Sequence, residues 1–298
     1  RTVVPSVEDW RENPDAASVI IESPVYRLQY GLWEHQKYFV KLAFEAHRGP
    51  LGAHFVLADM VGLGKTLQLA MTAQLIALYG EKPILVIAPK TLIWQWQDEM
   101  KDMLDMPSAV WNGKQWVDEN EIVYPPNGPE GIKKCPRRIG IVSQGLITGR
   151  SEVAEYLKQL SYECVIVDEA HRARRKNLGP NRENETPDPN NLLDFLYEIG
   201  ERTKSLILAT ATPVQIYPIE AWDLINILAR NNESVLGNAY SRWRHAGEAL
   251  DLIMGLSQIP TDDIECWSWI RNPLPPASED LDLNILRHSL KMKDKDVI

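Results

Sequence analysis

Five short apolar runs alternate with helix-period segments through most of this 298-residue chain. The runs are HFVLA (54–58), PILVIA (83–88), RIGIVS (138–143), ECVIVD (163–168) and SLILAT (205–210). Each is short and mostly apolar, so each predicts a strand buried on both faces of a sheet. Strands separated by helices form mainly parallel sheets that the helices cover. The alternation therefore predicts an α/β fold, a mainly parallel sheet flanked by helices.

The segments between these runs have the apolar period of amphipathic helices. Residues 65–80 repeat apolar side chains on one helical face and end at Gly80. That face holds Leu67, Met71, Leu75 and Leu78. The other predicted helices are TLIWQWQDEMKDML (91–104), SEVAEYLKQL (151–160), NLLDFLYEIG (191–200) and EDLDLNILRHSLKM (279–292). In the first of these, we expect Trp94 and Trp96 to be buried in the lobe rather than stacked on bases.

Two proline-rich segments interrupt this alternation. Residues 105–137 predict an irregular insertion before the third strand, and residues 176–191 predict a mobile loop. Beyond the last strand only helical patterns follow. We therefore predict an α/β fold over about the first 230 residues and a helical extension after it.

Charge and composition limit the classes of protein that fit. The net charge is −9, whereas proteins coated in nucleic acid usually have a basic excess. Two basic runs, KKCPRR (133–138) and HRARRK (171–176), are either solvated loops or local phosphate contacts. The three cysteines lie far apart, which predicts isolated thiols. No apolar run reaches the roughly 20 residues that span a bilayer, and no leader opens the chain, so we expect no membrane partner and no secretion.

The stretch FVLADMVGLGKTLQL (55–69) combines a strand, a glycine turn and a helix start. Backbone N–H groups in such a turn bind anions, and the helix dipole adds positive potential. Gly62 and Gly64 would let phosphate approach, Lys65 would reach the β- and γ-phosphates, and Thr66 would bind Mg²⁺. The general pattern requires a glycine where this chain has Asp59. Alone, the stretch is either a nucleotide site or a helix start that carries Gly-Lys-Thr.

Two further strand ends carry polar side chains. VIVDEAH (165–171) places Asp168 and Glu169 at the edge where parallel sheets bind ligands. Asp168 would hold Mg²⁺, and Glu169 would orient and deprotonate an attacking water, although either carboxylate alone also fits a helix cap. LATATP (208–213) ends another strand. Its hydroxyls, on Thr210 and Thr212, could bond His171 or the carboxylates and report nucleotide state.

Together these motifs resemble the SWI/SNF-type translocases of helicase superfamily two. Their phosphate loop commonly reads A-D-E-M-G-L-G-K-T, with Asp where Asp59 stands, whereas Met60 and Val61 replace the usual Glu-Met. The resemblance implies a RecA-like P-loop domain that uses ATP and Mg²⁺. It implies these ATP-binding residues: Gln36, Asp59, Gly62, Leu63, Gly64, Lys65 and Thr66.

Other motifs extend the resemblance over residues 28 to about 230. It implies a lead-in over residues 1–27, a RecA-like motor lobe over 28–230 and a helical extension over 231–298. LWEHQ (32–36) is similar to the segment whose glutamine, here Gln36, recognises adenine. IAPKTLIWQWQDE resembles a segment that lies near a tracked DNA strand, and IVSQGLI and TATPVQIYPIEAWDLINIL resemble two more motifs. The implied DNA-contact candidates are Pro89, Lys90 and Thr91. The basic run after His171 adds candidates for phosphate contact or lobe closing, namely Arg172, Arg174 and Arg175.

The resemblance implies an ATP-hydrolysing lobe of a motor that moves on double-stranded DNA. A strand-separating helicase or restriction-type motor and a non-catalytic nucleotide-dependent module are the alternatives. The motifs of the second RecA-like lobe, including its arginines, are not found in the sequence. We therefore expect a first lobe that is nearly inactive without the second. Such a motor would be cytoplasmic, at the nucleoid if bacterial, or nuclear if eukaryotic.

Overall fold

The computed structural model describes residues 32–125, 128–258, 260–275 and 281–292. They form two compact units. The first unit contains the described residues up to Ala170 together with Arg202–Ala211, and the second contains His171–Glu201 and the described residues from Thr212 onward. The predicted lead-in, residues 1–27, lies outside the described residues.

A seven-stranded sheet is the framework of the first unit. Its spatial order is β1-β7-β6-β2-β5-β3-β4, and every neighbouring pair is parallel except β3 with β4. The strands are β1 (His54–Leu57), β2 (Ile84–Ala88), β3 (Ala109–Trp111), β4 (Trp116–Asp118), β5 (Ile139–Ser143), β6 (Tyr162–Val167) and β7 (Thr203–Ala209). The mainly parallel sheet predicted from the sequence is confirmed.

The five predicted strands form the interior of this sheet and its β1 edge. Every residue of β2 and β6 is buried, as expected for parallel strands covered on both faces. The register pairs Val86 of β2 with Ile141 of β5 and Ile166 of β6. Burial on both faces explains why these strands are continuous apolar runs rather than alternating ones.

One helix of the first unit precedes β1 in the sequence, and the others lie between strands. These helices are α1 (Glu34–Arg48), α2 (Lys65–Tyr79), α3 (Ile93–Leu104), α4 (Gln144–Thr148) and α5 (Glu152–Lys158), with a 3₁₀ helix at Pro129–Lys133. α2 ends at Gly80, as predicted. Met71 and Leu75 on its predicted apolar face are buried, but Leu78 in the last turn is exposed. That part of the predicted face was wrong.

The predicted irregular insertion at 105–137 is more ordered than expected. It contains β3, β4 and the 3₁₀ helix. Trp111 and Trp116 pack edge to face at 5.4 Å between ring centroids, and the indole N–H of Trp116 donates to the carbonyl of Ile132 at 3.2 Å. Three-residue strands are too short to show a sequence period, which is why the segment was predicted to be irregular.

The prediction that both tryptophans of α3 are buried was half wrong. Trp96 is buried, whereas Trp94 is 43% exposed. Residues two apart on a helix point about 200° apart, so one apolar face cannot hold both.

Helices dominate the second unit. They are α6 (Asn191–Gly200), α7 (Ile219–Leu228), α8 (Glu233–Leu236), α9 (Ala246–Ile253), α10 (Asp263–Ile270) and α11 (Leu281–Ser289), with a 3₁₀ helix at Arg242–Arg244. The Asn190 side chain caps α6 by accepting the N–H of Leu193 at 2.9 Å. None of the described helices has the length and apolar composition that would let it cross a membrane.

Residues 176–190 form a loop whose two ends are hydrogen-bonded to each other. The N–H of Lys176 donates to the carbonyl of Asp188 at 2.7 Å, and the N–H of Asp188 donates to the Asn177 side chain at 2.9 Å. These bonds close the loop at its base. The mobility of the loop stays a prediction.

A buried polar cluster joins α1 to β6 and β7. His47, which is fully buried, places Nδ1 2.7 Å from the Ser205 hydroxyl and Nε2 3.2 Å from a Glu163 carboxylate oxygen. Burial and the nearby charge of Lys204 lower the pKa of His47 from 6.5 to about 4, although Glu163 acts in the opposite direction. The folded protein therefore keeps this imidazole neutral at physiological pH.

We expect the stabilisation from neutral His47 to be complete above pH 6.5 and to be lost as the pH falls toward 4. Below pH 6.5 the unfolded chain binds a proton at this position that the folded chain does not. The free energy of unfolding of the parent protein should fall by on the order of 1 kcal/mol more than that of His47→Gln between neutral pH and about pH 5. Urea unfolding of both proteins, with exposed His245→Gln as control, measures the difference. Parallel curves for the parent and His47→Gln would contradict the assignment.

Candidate nucleotide-binding site

Parallel pairing brings the carboxyl ends of five strands to one edge of the sheet. Along this edge, β7 lies between β1 and β6, and β2 lies between β6 and β5. Neighbouring strands are about 4.8 Å apart, so the ends of β1 and β6 are separated by roughly 10 Å. The groups that follow the strands are the phosphate loop (58–66) after β1, Thr210 after β7, Asp168 after β6, Pro89 after β2 and Gln144 after β5. Motifs far apart in sequence therefore share one edge.

The glycines of the phosphate loop adopt conformations that other residues rarely adopt. Gly62 has φ +90° and Gly64 has φ +69°. A Cβ atom on Gly64 would lie 2.4 Å from the side-chain nitrogen of Gln36. Gly64 also precedes α2, whose first N–H groups lack partners within the helix. The turn thus directs the chain into a helix N-terminus, which favours anions.

Asp59, which stands where the general phosphate-loop pattern has glycine, has a hydrogen-bond partner. Its carboxylate accepts a hydrogen bond of 2.8 Å from the side-chain amide of Gln68, a buried residue of α2. This bond ties the start of the phosphate loop to the helix that follows it. Gln68 was not identified from the sequence, because its position three residues after Lys65 suggests only an ordinary helical site.

The ammonium group of Lys65 lies within the phosphate loop. It donates to the carbonyl of Asp59 at 2.8 Å and to the carbonyl of Met60 at 3.2 Å. A bound phosphate oxygen would replace one or both carbonyls as its acceptor. Thr66, the next residue on α2, is half-buried.

Gln36 connects α1 to the phosphate loop. Its side-chain oxygen accepts the N–H of Trp33 at 2.8 Å, and its side-chain nitrogen donates to the carbonyl of Leu63 at 3.1 Å. These bonds explain why a glutamine at the start of α1 matters to the loop 27 residues later. Its recognition of adenine stays a prediction.

Asp168 is held by hydrogen bonds from two helices, α3 and α4, and from the next residue in the chain. Its carboxylate accepts the indole N–H of Trp96 at 3.1 Å and the N–H of Glu169 at 2.9 Å, one on each oxygen. Its carbonyl accepts the side-chain amide of Gln144 at 2.7 Å. A carboxylate has about four lone-pair sites, so each oxygen retains capacity for a metal or a water. Trp96 and Gln144 lie in two segments that resemble motifs of the translocase family, but their contact with Asp168 could not be predicted from the sequence.

Glu169 has an unusual backbone. Its φ of +50° is left-handed, which costs an L-residue about 1 kcal/mol or more. The hydrogen bond from its N–H to Asp168 helps to stabilise this conformation. Glu169 is half-buried, so its side chain keeps access to solvent.

The third motif is divided between the two units. Thr210 belongs to the first unit, is buried, and donates its N–H to the carbonyl of Leu57 at 3.0 Å. His171 and Thr212 belong to the second unit. Their predicted coupling role stays a prediction.

One predicted DNA contact requires correction. Arg175 is 1% exposed, and its guanidinium donates to both carboxylate oxygens of Asp223, at 2.9 and 2.6 Å. A buried bidentate pair of this kind is not available to a DNA phosphate. Lys90 and Thr91 are exposed while Pro89 is buried, and Arg172 and Arg174 of the second unit are exposed.

The segment after Thr212 and Pro213 is organised by a glutamate that sequence reasoning missed. The Glu220 carboxylate accepts the backbone N–H groups of Gln215, Ile216 and Tyr217, at 2.7 to 3.0 Å. Burial alone would raise the pKa of Glu220, but these donors and the charge of Arg174 lower it. The signal in the sequence was weak, since one acidic residue in a helical first turn is common.

A family profile decides the identity of this fold. The SNF2-related domain matches residues 35–249, which is more than half of the 298 residues. This chain belongs to the SNF2-related domain family. The resemblance to SWI/SNF-type translocases is thereby confirmed, and the match covers the phosphate loop and Asp168.

Relatives in this SNF2-related family are much longer proteins. Human chromodomain-helicase-DNA-binding protein 6 is 32% identical over 181 residues, which cover 58% of this chain and 6% of that protein. RNA polymerase-associated protein RapA of Klebsiella pneumoniae is 27% identical over 163 residues, covering 54% of this chain and 15% of RapA. The chain thus spans a small part of the curated relatives it matches.

A solved structure supports the fold. The Sulfolobus solfataricus SWI2/SNF2 ATPase core in complex with double-stranded DNA is similar with a TM-score of 0.52 and 21% identity. The similarity covers 76% of this chain and 43% of that core. At this level of identity, the similarity establishes the RecA-like architecture of an SNF2-related domain.

Proposed function

We propose that this chain is the ATP-binding and hydrolysing lobe of a motor that moves along double-stranded DNA. The observation that carries the proposal is the shared sheet edge, at which the phosphate loop and the Asp168–Glu169 pair follow strands two positions apart. Nucleotide hydrolysis needs a phosphate cradle, a metal ligand and a base for water, and this edge offers all three.

The residues of the edge fit Mg²⁺ and ATP. The Thr66 hydroxyl and the Asp168 carboxylate are oxygen ligands of the type that Mg²⁺ prefers. When bound, Mg²⁺ would neutralise charge on the β- and γ-phosphates. Lys65 would exchange its loop carbonyls for phosphate oxygens, and Gln36 would contact the adenine from the start of α1. Glu169 would accept a proton from the attacking water at its carboxylate.

DNA would be contacted by exposed polar groups near the edge. Lys90 and Thr91 follow β2, the neighbour of β6 in the sheet. The complex of the Sulfolobus core with double-stranded DNA supports a duplex as the track. In the second unit, Arg172 and Arg174 remain candidates for phosphate contact, whereas Arg175 is a structural residue. Such a motor would act in the cytoplasm at a bacterial nucleoid or in a eukaryotic nucleus.

Lys65→Ala should abolish binding or hydrolysis of Mg-ATP in the full-length protein. Lys65 supplies the only side-chain cation of the phosphate loop. The change also removes its bonds to two loop carbonyls, so folding should be checked by circular dichroism. Titration with nucleotide and steady-state hydrolysis measure the effect, with exposed Lys82→Ala as control. Unchanged turnover in Lys65→Ala would disprove the site.

Glu169→Gln should bind Mg-ATP about as well as the parent protein and hydrolyse it at least about 100-fold more slowly, because the amide cannot accept a proton from water. Glu121 also has a left-handed backbone, with φ +62°, and is exposed, so Glu121→Gln is a matched control. If affinity for nucleotide collapses together with turnover, the division of roles between Asp168 and Glu169 is wrong.

Residues 1–298 alone should bind nucleotide weakly and show almost no ATPase that duplex DNA stimulates. An arginine from a neighbouring lobe is worth about 10³ to 10⁵ in phosphoryl transfer, and we infer that a second RecA-like lobe of the same protein supplies it. The assay compares hydrolysis by this chain and by the full-length protein, with and without duplex. Strong stimulation of the chain alone would contradict the inference, and strand separation by the full-length protein would favour the helicase alternative.

A further inference from the structure

One contact at the sheet edge joins the proposed metal ligand to α3, the helix that follows the segment proposed to contact DNA. The indole N–H of Trp96 donates to Asp168 Oδ2 at 3.1 Å, and both side chains are buried, with exposures of 1% and 7%. Away from water, a hydrogen bond to a charged acceptor is stronger than one between neutral groups. Trp96 thus has a polar contact in addition to its packing.

This contact and the N–H of Glu169 together engage both oxygens of the Asp168 carboxylate. One oxygen accepts the indole N–H of Trp96 and the other accepts the N–H of Glu169. Without such contacts, the terminal torsion angle of an aspartate side chain has a broad and roughly two-fold distribution. With both oxygens engaged, a shift of Trp96 must be followed by a rotation of the carboxylate or by loss of the bond.

Trp96 is linked through the backbone to the exposed segment after β2. The N–H of Leu92 donates to the carbonyl of Pro89 at 2.8 Å, and the N–H of Trp96 donates to the carbonyl of Leu92 at 2.9 Å. These bonds form a continuous path from Pro89, beside exposed Lys90, to the Trp96 indole. Residues 89–91 are thereby joined through hydrogen bonds to the first turn of α3.

We propose that Trp96 is a positioning residue that couples contact of DNA with residues 89–91 to the orientation of Asp168. The inference rests on the proposed function and names a route within it. A duplex held by Lys90 and Thr91 shifts the first turn of α3, and the Trp96 indole then changes the orientation of the Asp168 carboxylate, the group that would hold Mg²⁺. The coupling free energy between the two sites passes through one hydrogen bond.

The chain offers a matched control for loss of a buried tryptophan. Trp111 is 3% exposed and lies in the same unit, and its indole nitrogen has no hydrogen-bond partner among the described residues. Trp96→Phe and Trp111→Phe both remove a buried indole. Only Trp96→Phe removes a hydrogen bond to Asp168.

The test measures the ratio of ATP turnover with and without saturating duplex DNA in the full-length protein. Trp96→Phe should lower this ratio about tenfold or more, which is within the range of coupling between two sites, while Trp111→Phe leaves it unchanged. Combined with Lys90→Ala, Trp96→Phe should add little, because both changes interrupt one path. If Trp96→Phe leaves this ratio unchanged, whether the two turnover rates stay the same or fall equally, the proposed coupling is overturned.

A second measurement does not depend on a stable variant. In the parent protein with isotope-labelled tryptophan, the indole N–H resonance of Trp96 should shift on addition of Mg-nucleotide and again on addition of duplex, whereas that of Trp111 stays in place. A Trp96 resonance that ignores the duplex would also overturn the inference. If the parent protein itself shows no stimulation by duplex, the proposed function fails, so the two failures are distinguishable.

Discussion

The placement of β7 between β1 and β6 is the constraint on which the rest of the site depends. β7 is the last strand in sequence, yet it pairs in parallel with both neighbours, His54 with Leu206 and Val165 with Leu206. This pairing sets the phosphate loop and Asp168 two strands apart at one edge. It also places Thr210, which follows β7, between them along that edge.

Side-chain donors from three helices then fix the loops at that edge. Gln36 of α1 bonds the carbonyl of Leu63, Gln68 of α2 bonds Asp59, and Trp96 of α3 bonds Asp168. Each donor side chain is buried, so competition from water for its N–H is reduced. The packing of these three helices on the sheet thus sets the positions of the polar groups at the site.

The sequence predicted the parts of this structure that depend on a local period or a local motif. Strands such as β6 are buried on both faces and read as continuous apolar runs, and the glycines of the phosphate loop mark its turn. The rest depends on partners distant in sequence. β3 is held by parallel pairing with β5, Val110 opposite Ile141, and Arg175 is unavailable to DNA because it pairs with Asp223, 48 residues away. No spacing rule reports such partners.

Asp59 shows what a phosphate loop requires at each position. Gly62 and Gly64 have positive φ, a backbone conformation that favours glycine. A Cβ on Gly64 would also collide with the side chain of Gln36. At Asp59 the main-chain carbonyl accepts a hydrogen bond from the Lys65 ammonium group, and the carboxylate accepts one from the Gln68 amide. The side chain is tolerated at this position because it has this partner. In this chain the pair Asp59 and Gln68 therefore ties the start of the phosphate loop to α2, the helix whose N-terminus the loop forms.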